Sequence, residues 1–427
     1  MPVIARYAAI TLPPMLLLIL AGALWGGFAW GALVWLTLVA ALADRLLEPP
    51  TSPDPEEPTA PWADALSIGL AAGHFLVLFA TTGAIAAGSL TGWQGLALFL
   101  ATASFMGQVS HPNAHDLIHR RAVVLRAFGA AVYSSVGFGH HVSAHRLVHH
   151  RHVGTPDDPN TPEPEESFYT YLPRAWRGSF EAGIVAEIDR LERRGRGPNH
   201  VANPYWLWLG GAVATLIGVV AAGGPFAALV LIGLAALTGA QILMSDYVQH
   251  YGLQRLILPN GRVEPVAAHH SWNAPKGFSS YLMMNAPAHS EHHLHPDRSY
   301  ERLDMRAEVP TLPFSMPVMA VIALVPGIWY RMMDKRALKV MEAAEARHAA
   351  GPPVPTTPSR PSRGAHPVKP HGAAPADPRR TQPAPPTDAP TAPPTAPPAS
   401  AQPANPAALA DDSETTELLE RIRAATN

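Results

Sequence analysis

The chain of 427 residues has no cysteine. This excludes a disulfide, a thiolate-bound zinc and any iron–sulfur or rubredoxin-type centre built from these residues. Charge is sparse: Asp, Glu, Lys and Arg make up 15% of the chain, and the net charge is −2. Nucleic-acid binding needs a basic surface, and this composition supplies none. Signs of a cleavable leader are also wanting. The apolar stretch in Met1–Ala43 is far longer than a signal-peptide core, and no clear small-residue cleavage site closes it. It is expected to be retained. Long apolar runs are absent from residue 351 onward, where Pro, Ala and Thr dominate. Such a segment cannot bury enough apolar surface to fold. Two regions are therefore expected: a membrane domain over 1–350 and a disordered Pro/Ala-rich tail over 351–427.

Hydrophobic residues make up 48% of the chain. They gather in runs of membrane-helix length, about twenty residues each. Tyr7–Leu47 accommodates two helices folded at Gly26-Gly27; Ala65–Ala87 gives a third and Trp93–Val109 a fourth. Tyr205–Ala222 and Phe226–Tyr247 give a fifth and a sixth. They pair as three hairpins with short uncharged turns. The charged segments, with Arg120, Arg121, Arg126, Arg146, Arg151, Arg174 and Arg177, fall on the opposite side. The positive-inside rule makes that side cytoplasmic. Ala122–Phe138 reads as a re-entrant or interfacial helix. Phe314–Tyr330, with Pro317 and Pro326, reads as a kinked interfacial helix, followed by an amphipathic one over Arg331–His348. The expected fold is an all-α integral membrane protein: six transmembrane helices in three hairpins, in a bacterial-type inner membrane, with a histidine-rich cap facing the cytoplasm.

Histidine gathers in that cap. The pairs His115/His119, His145/His149 and His289/His293 are each four residues apart. In a helix that spacing places them on one face, about one turn from each other. His150 and His292 extend these faces, and His250 ends the sixth helix. A lone histidine is usually solvated or hydrogen-bonded, and one such pair is weak evidence for a ligand set. Three pairs and three further histidines, nine imidazoles in all, are much harder to obtain by accident. Imidazole suits iron, zinc, copper and nickel. One tetrahedral zinc would use at most four of the nine, so at least two metals are implied. A metal transport or storage protein is the rival class. Against it, the ligands gather at one face and no acidic or histidine series crosses the spans. Neutral imidazoles leave the metals cationic, so carboxylates should balance charge and orient the rings. Asp116, Asp246 and Glu291 are the candidates for that supporting role. Asp157, Asp158 and Asp297 are also available, and Asp157-Asp158 between prolines reads equally as a turn.

These motifs resemble the membrane alkane monooxygenases of the AlkB type, within the wider group of membrane fatty-acid desaturases and hydroxylases. The family's first box, HE-L-x-H-K/R, stands as His115-Asp116-Leu117-Ile118-His119-Arg120. The second, EHxxGHH then ATPxDP, stands as Ala144-His145-Arg146-Leu147-Val148-His149-His150 and Gly154-Thr155-Pro156-Asp157-Asp158-Pro159. The HYG box is Gln249-His250-Tyr251-Gly252-Leu253, the HSWN element is His270-Ser271-Trp272-Asn273, and the third box ends in His289-Ser290-Glu291-His292-His293. Coverage runs from about residue 7 to residue 337. Eight of the histidines are a pattern shared with desaturases; the ninth, His250, is more specific to hydroxylases.

The resemblance implies a non-haem di-iron site, two iron ions held by the nine histidines. It implies a monooxygenase that uses O2 to hydroxylate a terminal C–H of an alkane or similar apolar chain drawn from the membrane. Electrons would come from a rubredoxin-type donor and its reductase. The alternative is a fatty-acyl desaturase with the same metal cap. Three departures mark a divergent member. The family's Glu in the first box is Asp116, and its acids before the second and HYG boxes are Ala144 and Gln249.

Overall fold

The computed structural model of the chain describes residues 3–46, 62–304 and 309–350. The tail expected over 351–427 lies outside the described residues. Among these residues the backbone is helical, and pairing between extended segments is limited to isolated bridges at Ile257–Val263 and Asn273–Thr311.

Among the described residues four helices are long and apolar enough to cross a membrane: α1 (Val3–Ala23), α2 (Phe28–Leu46), α3 (Ala63–Ala86) and a 46-residue helix at Tyr205–His250. Many of their large apolar side chains, such as Leu16, Leu42, Leu76, Leu207 and Leu229, stand exposed. Water would penalise such surfaces, whereas lipid accepts them. The chain is a multi-pass membrane protein. Several polar groups in the spans, among them Thr11, Ser67, Thr81 and Thr82, are buried, as polar groups in membranes usually are. His74 in α3, for example, reaches Ser135 Oγ at 2.8 Å.

Helix α4 runs over 92–119. Thr91 starts it with a reciprocal cap: its hydroxyl accepts from the Gln94 N–H, and the Gln94 side chain accepts from the Thr91 N–H. The fourth span, expected to stop at Val109, instead passes through a π turn at Met106–Ser110 straight into His111–His119. Pro112 gives a cause. It cannot donate to the carbonyl four residues back, and its ring crowds that carbonyl, so the helix widens there. Helix α5 (Val123–Ser135) packs its Ala130, Val132 and Tyr133 into the core beside α4. Helix α6 covers 141–152, again with a π turn, at His145–His149.

Helix α7 (Phe168–Glu192) was not expected from the apolar pattern. It mixes apolar residues with Arg, Asp and Glu along its length, and it is started by Ser167, whose side chain accepts from the Thr170 N–H at 3.1 Å.

Helix α8 is the Tyr205–His250 segment. Straight, it would be about 69 Å long, more than twice the roughly 30 Å hydrocarbon core. It is broken at Gly224, with φ 73° and ψ −175°. That conformation is essentially confined to glycine, and Pro225 follows. The segments expected as fifth and sixth spans fall on its two arms. Short helices α9 (Phe278–Leu282) and α10 (His289–Leu294) follow. Phe314–Tyr330, expected as one kinked helix, is two elements: α11 (Met316–Ala323) and α12 (Pro326–Ala350). The break sits before Pro326 because proline is accepted in the first turn of a helix and not in its interior. Helix α12 then runs on through the stretch expected as a separate amphipathic helix.

Candidate metal centre

All nine histidines singled out by spacing come together. His115, His119, His145 and His292 form one convergent group, and His149, His250, His289 and His293 form another. His150 adjoins the first: its Nε2 lies 3.0 Å from His145 Nε2 and 3.1 Å from His292 Nε2. Its ring also lies 4.6 Å, centroid to centroid, from that of His293. The paired histidines do not all serve together. His115/His119 stay in the first group and His289/His293 in the second, while His145 and His149 divide between the two. Their rings stack 5.0 Å apart along the π turn.

The nitrogen contacts test whether metal fits. His145 Nε2 is 2.8 Å from His115 Nε2 and 3.0 Å from His150 Nε2. His289 Nε2 is 2.9 Å from His250 Nε2 and 3.1 Å from His293 Nε2. A ring nitrogen offers one proton or one in-plane lone pair, so neither His145 nor His289 can hydrogen-bond to both neighbours. A cation between them would satisfy every lone pair. Nitrogens about 2.1 Å from a common ion and at right angles are about 3.0 Å apart, which matches these separations. The Nε2 atoms of His119 and His149 are buried with no hydrogen-bond partner. Burial holds His115, His119, His145, His150, His289, His292 and His293 far below the ordinary imidazole pKa. They are neutral, which is the ligand form. The residues fit metal.

Other groups fix the rings. His149 Nδ1–H donates to Asp158 Oδ2 at 2.8 Å. Asp158 is itself held by the Thr161 hydroxyl at 2.8 Å and the Asn160 N–H at 3.1 Å. Burial works against a charge on His149, but the Asp158 carboxylate outweighs it and raises the imidazole's pKa. The geometry is that of a carboxylate orienting a metal-binding histidine. So Asp158, which also reads as a turn residue, both turns the chain and aims His149. His250 is aimed by a backbone group: its Nδ1–H donates to the His270 carbonyl at 3.0 Å.

The 270–273 segment acts as a splint. The Trp272 N–H donates to the Gln249 carbonyl at 2.7 Å, and the Trp272 indole donates to the Tyr251 carbonyl at 2.9 Å. Asn273 donates to Ser290 Oγ at 2.6 Å and accepts the Ser290 N–H at 3.0 Å. One strap thus holds His250 and the helix of His289 in register. Sequence inspection located the segment only by resemblance; backbone-directed bonds leave no periodic trace.

The three carboxylates expected to support the metals are placed differently from one another. Asp246 lies beside the site, with a carboxylate oxygen within 4.8 Å of ring nitrogens of His145 and His149. It accepts from Asn160 Nδ2 at 2.7 Å. Asp116 takes no histidine: it pairs with Arg120 at 2.9 Å and accepts the Tyr300 N–H at 2.9 Å. Burial pushes its pKa up to about 6 in spite of Arg120. Glu291 pairs with Arg298 and, at 3.8 Å, His295. The departures at Ala144 and Gln249 leave neutral neighbours. Gln249 donates to the Ala286 carbonyl at 3.2 Å.

An apolar cleft of about 610 Å³ opens between α2, α4, α8 and α11, with Leu36, Leu100, Leu237 and Met316 in its walls. It also reaches Gln108, three residues before His111, and Ser245, five residues before His250.

Apolar helices of membrane-spanning length together with two convergent groups of imidazoles that could hold metal define a histidine-rich membrane protein. The chain belongs to the fatty acid desaturase family, whose model matches residues 91–321 and so covers all nine histidines. It is 36% identical over 253 residues to alkane 1-monooxygenase 1 of Alcanivorax borkumensis, covering 57% of this chain and 61% of that one. It is 30% identical over 245 residues to alkane 1-monooxygenase 2 of Pseudomonas aeruginosa, covering 57% and 65%. It is 28% identical over 241 residues to the xylene/toluene monooxygenase hydroxylase component XylM of Pseudomonas putida, covering 56% and 63%. Each of these matches spans less than two thirds of the relative's own length.

Proposed function

We propose that the chain is a membrane monooxygenase that hydroxylates a terminal C–H of an alkane or similar apolar chain. In balanced form, R–H, O2, two electrons and two protons give R–OH and water. The observation that carries the reading is the pair of convergent histidine groups in a chain whose apolar helices also enclose an apolar cleft. Two irons held there, one by His115, His119, His145, His150 and His292 and the other by His149, His250, His289 and His293, would supply O2 activation with electrons delivered in pairs. The protein's own part is positional. Asp158 and the His270 carbonyl fix the rings of His149 and His250. The apolar walls of the cleft accept a greasy chain from the membrane and exclude water, and Gln108 and Ser245 mark the end nearer the ligands. Near-attack placement of one C–H then selects hydroxylation over removal of a second hydrogen.

The absence of cysteine means that these residues provide no thiolate iron centre, so a separate rubredoxin-type donor with its reductase supplies the electrons. The topology completes the reading. The two arms of α8 and residues 92–110 of α4 join α1, α2 and α3 as six spans in three hairpins. Arg121 and Arg151 mark the cytoplasmic side of the cap in an inner membrane. The tail beyond 350 takes no part in the chemistry.

The test is product analysis in membranes supplied with donor and reductase, medium-chain alkanes and fatty-acyl substrates under labelled O2. A labelled terminal alcohol supports the reading. An unlabelled internal double bond overturns it in favour of a desaturase.

A further inference from the structure

A separate set of metal-binding groups lies in the loop after the HYG box. Glu264 is buried, His270 is fully buried, and His269 is partly so. The two carboxylate oxygens of Glu264 have different surroundings. Oε2 accepts the Leu256 N–H at 3.2 Å and faces His270 Nε2 at 3.2 Å. His270 Nδ1 accepts the Ala267 N–H at 2.9 Å. A neutral imidazole that accepts on one nitrogen carries its proton on the other. His270 is therefore a donor that steadies the carboxylate, and its lone pair is already used.

Oε1 has a different neighbourhood. His348 Nε2, from α12, lies at 2.7 Å and His269 Nε2 at 3.1 Å. The His269 Nε2 is buried and makes no hydrogen bond, although it is this close to the oxygen. The two atoms are close without being aligned donor to acceptor, which is how two ligands stand when both face a third point. Burial lowers the His269 pKa, and the bonds from His348, Leu256 and His270 outweigh burial to keep Glu264 ionised. The His348 bond belongs to the metal-free protein, and an ion would take its place with the imidazole's proton moved to Nδ1. Two imidazoles and one carboxylate oxygen are a suitable donor set for zinc or another divalent transition ion.

We propose that Glu264 Oε1, His269 Nε2 and His348 Nε2 form a further metal site, distinct from the nine-histidine centre, for a divalent transition ion such as zinc. The His348 side chain is 40% exposed, so this ion exchanges with solvent while the buried centre does not. The ion would be structural. It ties α12 to the loop whose His270 carbonyl aims His250.

The test uses the full chain in detergent, with the buried centre saturated with ferrous iron and the medium then cleared of free metal. Zinc is titrated against a chromophoric chelator. Wild type is expected to take up one zinc per chain without losing iron. His269→Ala and His348→Ala should each weaken zinc binding at least about tenfold, while their iron content, equal to that of wild type, shows that both are folded. Two results would overturn the proposal: no stoichiometric zinc uptake by wild type, or zinc binding in both variants as tight as in wild type. The first would mean that hydrogen bonds alone hold the cluster.

Discussion

Replacing Asp158 by Ala removes the acceptor for His149 Nδ1–H and for the Thr161 and Asn160 groups bound to the same carboxylate. Asp158 and His149 are both buried, at 2% and 1% exposure, so water cannot replace the lost partner. Removing one member of a buried pair costs about 3–5 kcal/mol of stability. Losing an outer partner of a ligand histidine weakens metal binding about 10–100-fold, or about 1.4–2.8 kcal/mol. Asp158→Asn keeps an oxygen that can accept from His149 but removes the charge, so it should fall between wild type and Asp158→Ala. The assay is iron affinity by chelator competition, read beside thermal unfolding of the same preparations. If Asp158→Ala holds iron as tightly as wild type, Asp158 does not orient a ligand and the assignment of His149 to the centre fails with it.

Further outcomes follow from particular contacts. Gly252 has φ +69°, and a Cβ there would lie 2.8 Å from the Cβ of Ala337. Gly252→Ala should cost about 1–2 kcal/mol from backbone strain alone, and more from the clash. Adding Ala337→Gly should recover only the clash, which a double-mutant cycle on melting curves would measure. In metal-free protein the His149–Asp158 tie should give a stability maximum against pH. Asp158 is depressed below 3.8, so its contribution is present above 3.8 and is lost as pH falls through the folded value. His149 is raised above 6.5, so its contribution is full below 6.5 and is lost as pH rises through the folded value. Unfolding midpoints across pH should show this maximum, and Asp158→Asn should flatten it; an unchanged profile in the variant would assign it to other groups. Deleting residues 351–427 should leave iron content and turnover unchanged, and loss of iron on deletion would show that the tail is structural.

The convergence of the histidines was legible because helical spacing repeats, and three separate pairs point to one place. The division of His145 and His149 between two groups was not legible. It accompanies a π turn, and a wider turn has no residue signature beyond local crowding. Asp158 was ambiguous because a carboxylate between prolines suits a turn, and here it serves as both turn and partner. For Asp116 and Glu291 the sequence could not show the partners: adjacency to a histidine in sequence says nothing about which cation is near in space, and here Arg120 and Arg298 pair with them. The four helices long and apolar enough to cross a membrane showed as apolar runs. Helix α7 did not, because charged residues interrupt its apolar ones and Pro173 breaks its pattern. Glu264 lacks any local motif, and its partner His348 lies 84 residues away.

The central claim is that nine histidines hold two irons. The most direct measurement is the iron-to-protein ratio of the full chain, purified in detergent in active form and washed with chelator to strip exposed ions. Two irons per chain are expected in wild type, and weakened iron retention with loss of turnover in His250→Ala. One iron per chain in fully active wild type would contradict it.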